Sequence, residues 1–326
     1  MAKASVFNFN EVNIMKIACV FPGQGSQIVG MCQDVVKNFS TAKAVLQEVD
    51  DALGRKLSEI ILVGPAENLA MTENTQPALM ACSIAILRVI EEQSGKKLPD
   101  FCHYVAGHSL GEFTALTAAG VFSLADCAKL LQIRGRAMQA SVPFGKGAMF
   151  ALLGAKFSIA QEIVQKANKI GICQIANDNS DGQQVLSGTA EAIDEAMNLA
   201  VQANLKTIKL NVSAPFHCQL MQSAQEVVKQ ALSSITMNVP SVPLIANITA
   251  KSVTNIILIK TYLAEQVTSM VRWRESIIEL KNLGINHLVE IGAGKVLTSL
   301  TKRIDQEIGT RAIQTCQDIE SFVEKL

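Results

Sequence analysis

Ser109 stands in Gly107-His108-Ser109-Leu110-Gly111, directly after the apolar run Val105-Ala106 and before an alanine-rich stretch of helical pattern. Gly-x-Ser-x-Gly between a strand and a helix is the pattern of a nucleophile elbow, in which a tight turn lifts the serine hydroxyl to the helix N-terminus. The strand and helix backbones approach too closely there for a Cβ, so Gly107 and Gly111 fit the two flanking positions. The same turn aims the Leu110 N–H at an oxyanion forming on a carbonyl attacked by Ser109, and the helix dipole adds to that stabilisation. A serine hydroxyl is a weak nucleophile at neutral pH and needs a base, usually histidine. The chain has four histidines. His108 adjoins the serine and is expected to point away and brace the turn. His103 and His287 fall at or before strand starts, opposite the carboxyl ends where α/β sites form. His217 remains as the candidate base, although its local sequence also suits a simple histidine at a helix start.

These groups need a sheet to hold them. Residues 16–21 read as a buried strand stopped by Pro22-Gly23-Gln24-Gly25-Ser26-Gln27, a loop whose glycines admit close approach of a ligand or an ordinary turn. It is not a dinucleotide fingerprint, because the third glycine would fall at Ile28. Helical patterns cover residues 30–38, 40–53 and about 75–93, with Pro77 suited to a first helical turn. The stretch 78–90 is apolar nearly all round and is expected beneath the elbow. Further helices are expected at 110–118 and 123–138, the second capped by Ser123 and carrying Arg134. From Gly147 the pattern changes to strand 148–153, helix 158–168, strands 172–176 and 184–187, helix 190–202 and strand 206–209. That βαββαβ order is the ferredoxin-like split unit, entered through a hinge at Pro143-Phe144-Gly145-Lys146-Gly147. The larger domain then resumes: Ser213-Ala214-Pro215-Phe216-His217 is expected to open a helix to about residue 235. A strand at 242–246, helices at 260–268 and 273–283, a strand at 287–291 and a helix at 296–304 follow.

The fold class is therefore α/β, an α/β-hydrolase-like large domain with a parallel sheet, residues 15–139 and 212–326, interrupted by a ferredoxin-like small domain, residues 140–211. Residues 1–14 read as a loose N-terminal extension without the apolar core of a signal peptide. A length of 326 residues and 49% hydrophobic composition supply ample core. Formal net charge is zero and no basic run suits a phosphate backbone or an anionic membrane, so nucleic acid and membrane are not expected partners. No apolar stretch approaches the about 20 residues of a membrane span. Eight scattered cysteines lack Cys-x-x-Cys or metal-ligand spacing, which fits buried thiols in a reducing, cytoplasmic compartment without disulfides or metal.

Phe21-Pro22-Gly23-Gln24-Gly25-Ser26-Gln27, Thr75-Gln76-Pro77-Ala78, Gly107-His108-Ser109-Leu110-Gly111-Glu112, Arg134-Gly135, Gly147-Ala148-Met149, Ser213-Ala214-Pro215-Phe216-His217 and Gly292-Ala293-Gly294-Lys295 stand in this order. Together they resemble the malonyl-CoA:acyl carrier protein transacylases, from about Met15 to Arg303. The resemblance implies that Ser109 is acylated, that His217 is its base, and that a backbone carbonyl at Gln266 orients the histidine in place of a carboxylate. It further implies an oxyanion hole from the N–H groups of Gln24 and Leu110. Arg134 would pair with the malonyl carboxylate, Phe216 would narrow the acyl pocket, and Asn177 and Asn179 would lie in a small-domain loop near the CoA or pantetheine arm. Met270-Val271 departs from the family, where a proline is frequent. Malonyl-CoA and holo-acyl carrier protein are the implied partners of a monomeric enzyme without a cofactor, working in fatty acid synthesis. A serine esterase or thioesterase, a trans-acting polyketide acyltransferase, and an idle interaction protein on the same fold are the alternatives.

Overall fold

A computed structural model describes residues 15–212 and 214–326; the extension expected at 1–14 and Ser213 lie outside the described residues. The chain opens with strand β1 (Ile17–Phe21) and helices α1 (Gln33–Asn38), α2 (Ser40–Leu53), α3 (Leu57–Leu62), α4 (Ala66–Ala70), α5 (Thr72–Ser94) and α6 (Leu98–Phe101). Strand β2 (Tyr104–Gly107) leads into α7 (Leu110–Ala118) and α8 (Leu124–Ala140). Next come β3 (Gly147–Leu153), α9 (Phe157–Ala167), β4 (Cys173–Ser180), β5 (Gln183–Thr189), α10 (Ala190–Gln202) and β6 (Lys206–Lys209). The chain closes with α11 (Gln222–Ser233), β7 (Leu244–Ile245), β8 (Ser252–Val253), α12 (Ile256–Glu265), α13 (Trp273–Asn282), β9 (His287–Ile291), α14 (Val296–Ile304), β10 (Gly309–Ile313) and α15 (Cys316–Val323).

Two sheets result. The larger runs β10-β9-β1-β2-β7-β8, parallel except where β8 turns back along β7. Strand β1 is central and all five of its residues are buried, as a continuous apolar run in a sheet covered on both faces requires. The smaller sheet, β4-β5-β3-β6, is antiparallel throughout, with α9 and α10 on one face. Alternation along β3 divides its side chains: Phe150 and Leu152 join α9 and α10 in a separate core, whereas Met149 and Ala151 join the main core. The fold is thus α/β, an α/β-hydrolase-like body with a ferredoxin-like βαββαβ unit inserted after α8.

Several local expectations change. Helix α5 starts at Thr72, so Pro77 lies in its second turn rather than at its start; the Met71 carbonyl already accepts the N–H groups of Asn74 and Thr75. As expected, α5 is buried along nearly its whole length under the elbow. No helix opens at residues 214–218, because His217 takes φ 58°, which a right-handed helix excludes; a 3-10 turn at Gln219–Met221 precedes α11. Helix α12 begins at its Asn255 cap and ends before Gln266, earlier than residues 260–268 suggested. Asn177 and Asn179 lie in β4, at irregularities in its pairing with β5, and not in a loop.

Candidate active site

The elbow forms where β2 ends. Ser109 adopts φ 55° and ψ −109°, and α7 begins at the next residue. A Cβ on Gly107 would sit 1.9 Å from the Gly111 carbonyl oxygen, and one on Gly111 would sit 2.2 Å from that of Phe21. Only glycine fits at either position. A non-glycine residue in such backbone costs about 1–3 kcal/mol and persists only where neighbours hold it. Asn247, just after β7, supplies that hold: its Oδ1 accepts the Ser109 N–H at 2.9 Å and its Nδ2 donates to the Gly107 carbonyl at 2.7 Å. Its own N–H donates to Glu112 Oε1 at 3.0 Å.

Ser109 Oγ lies 2.7 Å from His217 Nε2, and His217 Nδ1 lies 2.9 Å from the Gln266 carbonyl oxygen. A carbonyl only accepts, so Nδ1 carries the proton and Nε2 is left to accept from the serine hydroxyl. Gln266 caps the C-terminus of α12, where helix carbonyls lack intrahelical partners, and its oxygen is therefore open to the imidazole, shared with the Ser269 N–H at 3.3 Å. Burial, followed by the charge of Arg134, pushes the His217 pKa down to about 3. The imidazole is neutral at pH 7. At the departure Met270-Val271, the Val271 N–H, which a proline would lack, donates to the Ala176 carbonyl at 2.9 Å, and the Val271 carbonyl accepts from Asp178 at 3.0 Å.

Arg134, on α8, is 1% exposed. Its NH1 donates to Gln76 Oε1 at 2.8 Å; its NH2 donates to Gln266 Oε1 at 2.7 Å and to Ser109 Oγ at 3.1 Å. The guanidinium also lies over the Phe113 ring, 5.3 Å from its centre. Burial lowers its pKa to about 10, against the pull of Glu112, so it stays charged at pH 7. Glu112 is likewise buried, and desolvation raises its carboxyl to about 7.

Ser109, His217 and Arg134 face one cavity of about 100 Å³, which Gln24, Leu110, Phe216 and Asn177 also line. Among the described residues, the N–H groups of Gln24 and Leu110 have no hydrogen-bond partner. Asn179 turns elsewhere, its Oδ1 2.9 Å from His108 Nε2. His108 packs on Trp273 with ring centres 5.7 Å apart and braces the turn against the small sheet. His103 and His287 sit at the opposite ends of the strands: His103 Nδ1 accepts the Ile17 N–H, and His287 opens β9. Sequence reasoning brought Ser109, His217, Arg134, Gln24, Leu110, Phe216, Asn177 and Gln266 to this place and missed Gln76, Glu112 and Asn247. Gln76 and Glu112 lie inside the quoted motifs; Asn247 carries no local signal beyond following a strand. Among the described residues, no group of three His, Cys, Asp or Glu residues could hold a metal ion, and no helix is long and apolar enough to cross a membrane.

A serine on an elbow, bonded to a neutral imidazole in a pocket holding a buried cation, defines a serine acyltransferase class, and the acyl transferase domain family matches residues 18–318. Similar proteins narrow the class. A malonyl CoA-acyl carrier protein transacylase of Bacillus subtilis is 41% identical over 95% of this chain and 97% of its own. The crystal structure of an acyl-carrier-protein-S-malonyltransferase from Bartonella henselae is 47% identical, with a TM-score of 0.93 over 95% of this chain and 99% of that one. A type II PKS acyl-carrier protein in complex with its malonyl-transacylase is a further structural neighbour, 36% identical with a TM-score of 0.92 over 95% of this chain and 100% of that one. The chain belongs to the acyl transferase family and, within it, to the malonyl CoA-acyl carrier protein transacylases.

Proposed function

We propose that this protein transfers malonyl from malonyl-CoA to the phosphopantetheine thiol of acyl carrier protein for fatty acid synthesis, through a malonyl ester of Ser109. The observation that carries the reading is the position of Ser109 Oγ, 2.7 Å from the unprotonated His217 Nε2 and 3.1 Å from the buried guanidinium of Arg134. His217 takes the serine proton as Oγ attacks the thioester carbonyl, and the oxyanion falls to the N–H groups of Gln24 and Leu110. The C–S bond breaks and His217 returns the proton to the CoA sulfur. The carrier thiol then attacks the serine ester by the same route, and Ser109 recovers its proton. Arg134 takes the free malonyl carboxylate, whose burial without a cation would be costly. That pairing also offsets the Arg134 charge, the second cause after burial of the low His217 pKa, so the carboxylate-bearing substrate raises the basicity of its own base. Phe216 narrows the acyl end of the cavity, and Asn177 faces the thioester arm from β4.

The roles draw on one chain, residues 15–139 and 212–326 as the catalytic domain and 140–211 as its lid. The proposal therefore takes a monomer as the working unit, with no cofactor besides the two thioester partners. Eight free thiols, with Cys32 and Cys82 hydrogen-bonded at 2.8 Å and not joined as a disulfide, suit the reducing cytoplasm. Intact-mass analysis with malonyl-CoA, chased with holo-acyl carrier protein, tests the reading beside Ser109→Ala and Arg134→Ala. The expected result is a malonyl adduct lost in Ser109→Ala, weakened in Arg134→Ala and passed to the carrier. An adduct released to water at the same rate with or without carrier would instead indicate a thioesterase.

A further inference from the structure

Glu112 is a buried carboxylate that does not line the cavity, yet two of the site's hydrogen bonds depend on it. Its Oε2 accepts from Gln266 Nε2 at 2.5 Å and its Oε1 accepts from the Asn247 N–H at 3.0 Å. Gln266 Nε2 also donates to the Ser109 carbonyl at 2.9 Å. With both donors of this amide directed at acceptors, its oxygen is left toward Arg134 NH2, at 2.7 Å. The amide is thus oriented at one end by a carboxylate and at the other by a guanidinium. Reversing it would set an NH2 against Arg134 and an oxygen against two acceptors. Arg134 offers five N–H donors. Gln76, Gln266 and Ser109 account for three acceptors, and Nε has none among the described residues. The direction of the Gln266 amide therefore decides which face of the guanidinium remains for an incoming acyl group.

We propose that Glu112 is a positioning residue for the acyl-carboxylate subsite: it fixes the Gln266 amide, and through it the Arg134 guanidinium, in the orientation that receives a carboxylate-bearing acyl chain. The inference rests on the malonyl-transfer reading above. A purely structural carboxylate at the start of α7 would support the elbow as a whole, and its loss would slow every reaction of Ser109 alike. A positioning carboxylate is selective. In Glu112→Gln the remaining oxygen keeps the Asn247 N–H, a backbone donor that cannot reverse, and the new NH2 meets Gln266, whose side-chain amide can turn. Chemistry at Ser109 that does not use Arg134 is then spared.

The test compares two rates on the full-length protein: malonylation of Ser109 by malonyl-CoA, and labelling of Ser109 by a small neutral dialkyl fluorophosphonate. In Glu112→Gln, malonylation is expected to fall about 10- to 100-fold, chiefly through KM, as misplacement of a buried binding group does. Fluorophosphonate labelling is expected to change less than about 3-fold. Glu112→Asp, which keeps both acceptors, is expected to recover part of the loss. Should Glu112→Gln fold poorly, the same two rates are read on Glu112→Asp alone, whose shorter side chain draws the carboxylate away from the Gln266 amide, and a smaller loss confined to malonylation is expected. Equal losses in both rates, or an unchanged malonylation rate, would overturn the proposal. A wild-type protein labelled by the fluorophosphonate but never malonylated would instead sink the malonyl-transfer reading itself, and this inference with it.

Discussion

The two sheets reach the site on different terms. The parallel sheet sets Ser109 by backbone against backbone: Phe21, Gly107 and Gly111 are so close that no Cβ fits between them. The antiparallel sheet, besides the packing of Met149 and Ala151 in the main core, reaches the site through polar contacts. The Asp178 carboxylate takes Arg274 NH2 at 2.8 Å, Asn179 meets His108, and Asn177 forms a single bridge with Val271. Backbone crowding has almost no freedom to relax, whereas single hydrogen bonds and ion pairs can be lost one at a time. The nucleophile's place is therefore built into the large body, and the small sheet's hold on the cleft is separable from it.

The largest test of this contrast is Gly111→Ala. Its methyl would stand 2.2 Å from the Phe21 oxygen, and an overlap of backbone with no escape is expected to cost more than about 4 kcal/mol. Thermal melting and Ser109 labelling should both collapse, and a melting point within a few degrees of wild type would break the comparison. Arg274→Ala comes next. Asp178 is 0% exposed and would keep only Gln184 Nε2, at 3.3 Å, as a side-chain donor, so stability is expected to fall by about 3 kcal/mol. Denaturant unfolding measures the fall, while fluorophosphonate labelling of Ser109 at native conditions should stay near the wild-type rate.

Acidification gives a third, intermediate effect. His217 is held at about 3 in the folded protein against 6.5 ordinarily, so between those values the unfolded chain binds more protons. Its contribution to stability is complete above pH 6.5 and is lost as pH falls toward 3. Glu112, raised to about 7 from 4.5, acts in the opposite sense, favouring the fold as pH falls through that window. Denaturation midpoints measured as pH is lowered should therefore drop less in His217→Gln than in wild type, and parallel curves would contradict the assignment. Smallest is Asn179→Ala, which releases His108 Nε2. It is expected to cost about 1 kcal/mol and to slow malonylation only a few-fold, and a larger loss would mean that the small sheet does more than brace the cleft.

Legibility follows the range of the forces involved. Strands β3 to β6 and helices α9 and α10 were readable because strand alternation and helical periodicity are written along the chain. Strand β8, two residues long, and β10, a half-buried edge strand reading Gly-Thr-Arg-Ala-Ile, carry too little pattern to be seen. At His217 a turn stands where the local sequence suggests a helix start, because its φ of 58° is a conformation that no residue type in the segment signals.

By itself the sequence determined the elbow, since Gly107 and Gly111 answer a crowding problem within five residues of chain, and it determined the order of strands and helices that builds the smaller sheet. The tertiary structure alone decided how Ser109 is served. Asn247 lies 138 residues away and Gln266 157, and their bonds to Ser109 depend on where β7 and the end of α12 come to rest. The tautomer of His217, the orientation of Arg134 and the raised pKa of the buried Glu112 carboxyl are properties of that meeting. A hydrogen bond is specified by distance and angle in space, and neither is encoded by spacing along the chain.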